Sequence, residues 1–293
     1  LPIDAVAQQM TSQWPGMTVS VAFLELTQPD LPTTVEQMMK QGLSHVRIVP
    51  MFLGVGRHAR EDLPEIVRGL TDAYPQMRFE LVPAIGEHPA MRRILDTQRA
   101  WVDAGRVLAY RTALELDLIK HSPAPDTQAA AQRWCALVTP VMKSVFTHQA
   151  FHGGSDCLQV FGGHGYVREW GMEQFVRDNR INMIYEGTNT IQSLDLLGRK
   201  VLGNNGATLK KFGKMVAQLV QEEGVNEKMA EFINPLAYLG DQMTKFTTEI
   251  GFKGFQNPDE VGAAAVDYLR VAGHLVFGYF WARMAQVALR EMA

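Results

Sequence analysis

Apolar positions follow two different rhythms along this chain, and the change comes near residue 88. Before it, short apolar runs alternate with amphipathic ones. MTVSVAFLEL, residues 17–26, is bounded by Pro15-Gly16 and Pro29 and predicts a buried strand. In LPTTVEQMMKQGL, Val35, Met38, Met39 and Leu43 share one helical face, with a stop near Gly42. HVRIVPMFL (45–53) predicts a second strand, EDLPEIVRGLTDAYP (61–75) a second helix and MRFELVPAI (77–85) a third strand. Strands separated by short helices imply crossovers in a parallel sheet, with any site at the carboxyl ends of its strands.

Beyond residue 88 only the helical period remains. Residues 91–121 place Ile94, Trp101, Leu108 and Leu114 at helical spacing over about eight turns. Pro123 and Pro125 interrupt the pattern, and Asp126 is suited to cap the next helix, which runs through AAAQRWCALVTPVMKSVFTHQAF (129–151). Further helices are predicted over 207–222, 226–250 and 258–292. The expected fold class is an α/β N-terminal part with a parallel sheet, followed by an all-α helical bundle. Its divisions are 1–87, 88–203 and 204–293, without a low-complexity linker.

The chain has 293 residues, enough for two ordinary domains, each with its own core. A formal net charge of -3 gives no basic surface for a polyanion, so no nucleic-acid partner is expected. The two cysteines, Cys135 and Cys157, fall in predicted helices and argue for a reducing compartment. No apolar run reaches the roughly 18–20 residues of a membrane span, and the start LPIDAVAQQM has no signal-peptide pattern. A cytoplasmic protein without a membrane partner is expected. The first residue is Leu and not Met, which points to a preceding portion.

The candidate chemistry sits in two runs, LQVFGGHGY (158–166) and RDNRINMIYEGTNTIQ (177–192). Glu186 lies between Tyr185 and Gly187 just before a helix, where a carboxylate can serve as a base or simply as a solvated charge favoured by the helix start. Gly187 removes a Cβ where a ligand must approach. Thr188 offers a hydroxyl as helix cap or cofactor contact, and both readings stay open. Gly162 and Gly163 leave backbone free to meet a pyrophosphate. A GGxG string alone is more often a plain turn, but its spacing of about two dozen residues to Glu186 makes it specific. Arg177, Asp178 and Arg180 read as structural, and His152 and His164 as surface or turn histidines, because no second ligand recurs at metal-site spacing.

In this order and spacing the two runs resemble the acyl-CoA dehydrogenase family, and the likeness extends from roughly residue 88 onward. The tail after QSLDLLGRKVL is similar to the 3-methylmercaptopropionyl-CoA dehydrogenase-like branch. The resemblance implies α,β-dehydrogenation of an acyl-CoA thioester, with Glu186 as base and FAD as hydride acceptor. It implies FAD contacts at Gln159, Gly162, Gly163, Thr188 and Thr190, substrate contacts at Tyr185 and Gly187, and a homo-oligomer that shares FAD across subunits.

FLELTQPDLP (23–32) and VPMFLGVGRHAREDLPEIV (49–67) resemble the small sirohydrochlorin and cobalt chelatases. That likeness implies His58 as metal ligand and Glu25 as its assistant, with cobalt or iron as the inserted substrate. IGEHPAMRRIL, residues 85–95, fits both patterns at the seam. The chelatase family's first histidine turn has no counterpart here. Neither have the dehydrogenases' N-terminal helical and middle β-domains. Two truncated enzymes joined together are expected, and a non-catalytic chimera is the third reading beside dehydrogenase and chelatase.

Overall fold

A computed structural model describes residues 2–24, 27–52, 61–85 and 88–292. It forms two compact units, Leu1–Thr97 and Gln98–Ala293. The first contains α1 (Pro2–Gln13), α2 (Leu31–Lys40), β1 (His45–Ile48), α3 (Leu63–Ala73) and β2 (Arg78–Leu81). The Asp30 carboxylate caps α2 by accepting the Thr33 N–H at 2.8 Å. Gly42, at φ +82°, turns the chain after it. β1 and β2 pair in parallel from His45↔Arg78 to Ile48↔Leu81 around the α3 crossover. Arg47 and Glu80 meet across the pair at 3.0 Å. Leu31, Val35, Val46, Leu63, Leu70 and Met77 form the core beneath.

The parallel α/β reading of this unit holds, with one correction. The strand expected over 17–26 is absent from the ladder: among its described residues only Phe23 bridges, to Asp30. Ala22 and Leu24 still pack against the core. The apolar pattern thus identified side chains that become buried, but burial alone supplies no backbone neighbour to pair with. The other two strands end early, at Ile48 and Leu81. Pro50 and Pro83 follow two residues later, and neither has an N–H to extend a ladder.

The rest is all-α, as expected. Helix α4 (Pro89–His121) runs unbroken through the boundary between the units. It is followed by α5 (Pro125–Val160), α6 (Met172–Asn182), α7 (Asn189–Leu194), α8 (Ala207–Glu223), α9 (Ala230–Gln256) and α10 (Asp259–Glu291). Asp126 does not cap α5: Ala124 holds that position, Pro125 opens the helix and Asp126 sits in its first turn, where its charge favours the helix dipole. The inward stripe of α4 is Ala104, Leu108, Thr112 and Glu115, so Leu114 is 51% exposed and not part of the expected face. The Glu115 carboxylate pairs with Arg111, whose guanidinium lies 5.8 Å from the Trp134 ring.

Helix α10 is the centre of the second unit. It buries Leu269, Leu275, Val276 and Phe280 among others, while Asp267, Arg270 and His274 stay exposed along it. The turn after α7 widens to a π-helix over Asp195–Val201 and drives Leu196, Leu197 and Val201 into the same core. Each fully buried leucine contributes about 1.5–3 kcal/mol. Both cysteines are unbonded, and burial pushes both thiols up in pKa. No helix among the described residues is long and apolar enough to cross a membrane.

Candidate functional site

Glu186 lies in the connection between α6 and α7. The chain turns there through two consecutive left-handed residues, Glu186 at φ +54° and Gly187 at φ +87°. For a side-chain-bearing residue that conformation costs about 1 kcal/mol, which neighbouring structure must over-determine. Three contacts do so. Gln192 Nε2 donates to the Glu186 carbonyl at 3.2 Å, the Asn189 N–H donates to the Met183 carbonyl at 3.1 Å, and Thr188 Oγ1 caps α7 by accepting the Ile191 N–H at 3.2 Å. A Cβ at Gly187 would stand 2.9 Å from Gln192 Nε2, so glycine answers both conformation and space.

Asn189 locks this turn to α5. Its Oδ1 accepts from Lys143 Nζ and Thr147 Oγ1, each at 3.0 Å, and its Nδ2 donates to the Ser144 carbonyl at 3.3 Å. Burial lowers the Lys143 pKa, and the Glu186 carboxylate opposes that shift, so the two charges sense one another. This bracket is invisible to sequence periodicity, because its members are 42 to 46 residues apart. Asn189→Ala is expected to cost roughly 2 kcal/mol by leaving partly buried partners unpaired. A urea midpoint lowered at unchanged slope supports the bracket, and an unmoved midpoint contradicts it.

The side chains of Glu186 and Tyr185 are exposed. Ile181, Ile184, Tyr185 and Ile191, each 45–54% exposed, leave apolar surface along this connection and the helix ends that flank it.

The second motif closes α5. The Gln159 side chain is exposed on the last turn and makes no hydrogen bond among the described residues. A 3₁₀ turn then spans Gly162–Tyr166, with Gly162 at φ +58°. A Cβ on Gly162 or Gly163 would meet nothing within 4 Å, so this backbone lies bare. Gly165, which sequence reasoning passed over, is the one that packing requires: its Cβ would fall 2.4 Å from the Leu158 carbonyl oxygen. Thr147 and Gln159 are about 18 Å apart along α5 at the helical rise. The two motifs therefore sit at opposite ends of α6.

The charges of α6 have partners close by. Arg177 pairs with Glu173 at 3.7 Å, Asp178 accepts from Gln174 at 2.7 Å, and Arg180 lies 5.6 Å from the Phe151 ring.

A cleft of about 610 Å³ opens beside α7, walled by Trp101, His148, His152, Thr190, Arg270 and His274 among others. Of the sequence-selected residues it takes in Thr190 and His152. Gln159, Gly162, Gly163, Tyr185, Glu186, Gly187 and Thr188 lie off it. Burial, then His152 and Arg270, push the His148 pKa down. Glu25 and His58 lie outside the described residues. Among those described, no group of three or more histidine, cysteine or acidic side chains is arranged to hold a metal.

Three family models match the chain. CbiX covers residues 2–100, the acyl-CoA oxidase C-alpha1 domain residues 73–199 and the acetyl-CoA dehydrogenase C-terminal like domain residues 210–293. The first two overlap over 73–100, across the seam. The chain is 36% identical to 3-methylmercaptopropionyl-CoA dehydrogenase of Ruegeria pomeroyi over 217 residues, covering 73% of this chain and 36% of that protein. It is 30% identical to the broad-specificity linear acyl-CoA dehydrogenase FadE5 of Mycobacterium tuberculosis, covering 74% and 37%. Sirohydrochlorin ferrochelatase of Bacillus subtilis is 36% identical over 66 residues, 22% of this chain and 25% of that enzyme. Caenorhabditis elegans ACDH-11, solved in complex with C11-CoA, superposes with a TM-score of 0.56 at 23% identity over 67% of this chain and 33% of its own, a likeness of fold. The chain thus spans little more than a third of the two dehydrogenases' length.

Proposed function

We propose that this chain, which joins a CbiX chelatase segment to acyl-CoA dehydrogenase C-terminal domains, presents Glu186 as the base that takes the α-proton of an acyl-CoA thioester. The observation that carries this reading is the left-handed backbone at Glu186. A glycine would hold that turn at lower cost, so the carboxylate is retained for something other than folding.

The chain's part in the reaction is a proton transfer. The α C–H bond breaks, its electron pair forms the α,β double bond, and the proton passes to the Glu186 carboxylate. The backbone N–H groups of Glu186 and Gly187 have no acceptor within the described chain. Pointed at the thioester carbonyl, they would stabilise the charge that develops as the proton leaves. Tyr185 and Gly187 flank the substrate, and the exposed isoleucines of this connection and its flanking helix ends exclude water once covered. Bound FAD supplies the acceptor for the β-hydride.

The residues assigned to FAD fit that task. Gln159 and Thr190 have uncommitted side chains, Gly162 and Gly163 present open backbone, and the Thr188 hydroxyl, which accepts at the helix cap, can still donate. A homo-oligomer would cover this apolar surface and let FAD bridge subunits. Turnover of acyl-CoA with added FAD and a dye acceptor tests the reading: loss in Glu186→Gln supports it, and equal turnover overturns it.

The CbiX match over residues 2–100 favours a second reading, insertion of cobalt or iron into sirohydrochlorin by His58 with Glu25. His58→Ala should then abolish the cobalt-dependent spectral change of sirohydrochlorin. Insertion at an unaltered rate would exclude His58 as ligand. Absence of both activities from the unsubstituted chain identifies it as a non-catalytic chimera.

A further inference from the structure

We propose that the second unit docks on an anionic phospholipid surface through the end where α8 begins and α9 stops. The run from Leu196 to Gln221 holds five basic residues and no acidic one, which a formal net charge of -3 for the whole chain conceals. Arg199 pairs with Asp195 at 3.4 Å. The side chains of Lys200, Lys210, Lys211 and Lys214 have no partner among the described residues. In α8 the buried positions include Thr208, Phe212, Val216 and Leu219, so Lys210, Lys211 and Lys214 fall together on the opposite, solvent face of its first turns.

Two phenylalanines stand at the same end. A Cβ on Gly251 of α9 would lie 3.4 Å from Leu202 Cδ2, in the 3₁₀ turn that leads towards α8, so the last turns of α9 sit beside the start of α8. Phe255 follows Gly251 by four residues and continues that flank; it is 94% exposed, and Phe252 is 75% exposed. The flank towards α10 is a different one: there Thr247 bonds the Tyr268 hydroxyl at 2.7 Å, and a Cβ on Gly254 would collide with Val261. The acidic residues of this end, Asp259 and Glu260, open α10, and Lys253, which pairs with Glu249 at 2.7 Å, senses Glu260. A phenylalanine left in water gains nothing from folding. Beside unpaired lysines it suits a lipid boundary, where the rings enter the acyl layer and the ammonium groups stay with the phosphates. A single-stranded nucleic acid would use the lysines too, but it stacks its bases inside a charged groove, and rings this exposed stand clear of one. Such docking needs no spanning helix, and none occurs among the described residues.

None of these residues belongs to the Glu186 turn or to the cleft beside α7, so the proposal is independent of the thioester reading. Flotation of the full chain with vesicles of mixed phosphatidylserine and phosphatidylcholine, and with vesicles of phosphatidylcholine alone, tests it. Binding is expected to the anionic vesicles, and it should fall as sodium chloride rises from about 0.1 to 1 M, where the screening length shrinks from roughly 10 to 3 Å. Each lysine near such a surface is worth roughly fivefold, or about 1 kcal/mol, so Lys210→Gln, Lys211→Gln and Lys214→Gln together should weaken binding about a hundredfold. Phe252→Ser with Phe255→Ser should weaken it about tenfold or more. All five side chains are exposed, so the fold is retained. Lys40→Gln, at an exposed lysine of the first unit, should change nothing. No binding to anionic vesicles, equal binding to neutral ones, undiminished binding in either multiple variant, or tighter binding to an oligonucleotide than to lipid would overturn the assignment.

Discussion

Glu186→Gln lowers dehydrogenation by roughly a thousandfold or more while leaving the melting temperature in place. A positioned base contributes about 10²–10⁴ to a proton transfer, and glutamine keeps shape and backbone while losing the proton acceptor. Glu186→Gly separates function from folding more sharply. It also removes the carboxylate, but it relieves a left-handed φ of +54°. Stability should rise by about 0.5–1 kcal/mol, or roughly 2 °C for a unit of this size. A residue whose removal abolishes turnover and strengthens the fold is held for chemistry at a cost to stability. Unchanged turnover in the glutamine variant, or a lower melting temperature in the glycine variant, would count against this account of the turn.

Glu223→Ala has the largest expected effect on stability. The Glu223 side chain is buried where α8 ends, and its carboxylate accepts from Gln286 Nε2 at 2.5 Å and Asn226 Nδ2 at 2.9 Å, with Arg290 at 3.6 Å. Gln286, on α10, is 2% exposed, and its Oε1 already lacks a partner. Alanine would strand the Gln286 amide N–H as well, at about 2–3 kcal/mol, or roughly 5–10 °C.

The pH dependence has a defined sign. Hydrogen bonds from Gln286 and then Asn226 hold the Glu223 pKa below its ordinary value. A depressed folded pKa contributes stability that is present above the unfolded value, about 4.3, and is lost as pH falls through the folded one. The gap between the unsubstituted chain and Glu223→Ala should therefore be full at pH 6–7 and shrink in acid below about pH 4. A gap that stays constant down to pH 3 would show that the carboxylate's charge plays no part.

The helices were the most legible part of this sequence. The span 91–121 became Pro89–His121, and 258–292 became Asp259–Glu291, because long periodic segments bury one face whatever their surroundings. The first strand was not legible, since a ladder needs a neighbour that periodicity cannot supply. At the candidate site, the run around Glu186 located the turn, but its left-handed backbone and the exposure of its carboxylate emerge only from the fold. The Asn189 bracket and the cleft depend on contacts between helices distant in sequence. His148 and His152, at i and i+4, carried a local hint of a shared face, whereas His274 joins them from α10. Gly162 and Gly165 share one string, yet only three-dimensional packing distinguishes the open glycine from the one pressed against Leu158.

The most direct test of the central claim follows deuterium at the α-carbon of an acyl-CoA incubated in heavy water with the FAD-supplemented chain, read by mass spectrometry. Deuterium gain with the unsubstituted chain and none above background with Glu186→Gln is the expected result. Equal gain in both would remove Glu186 as the base.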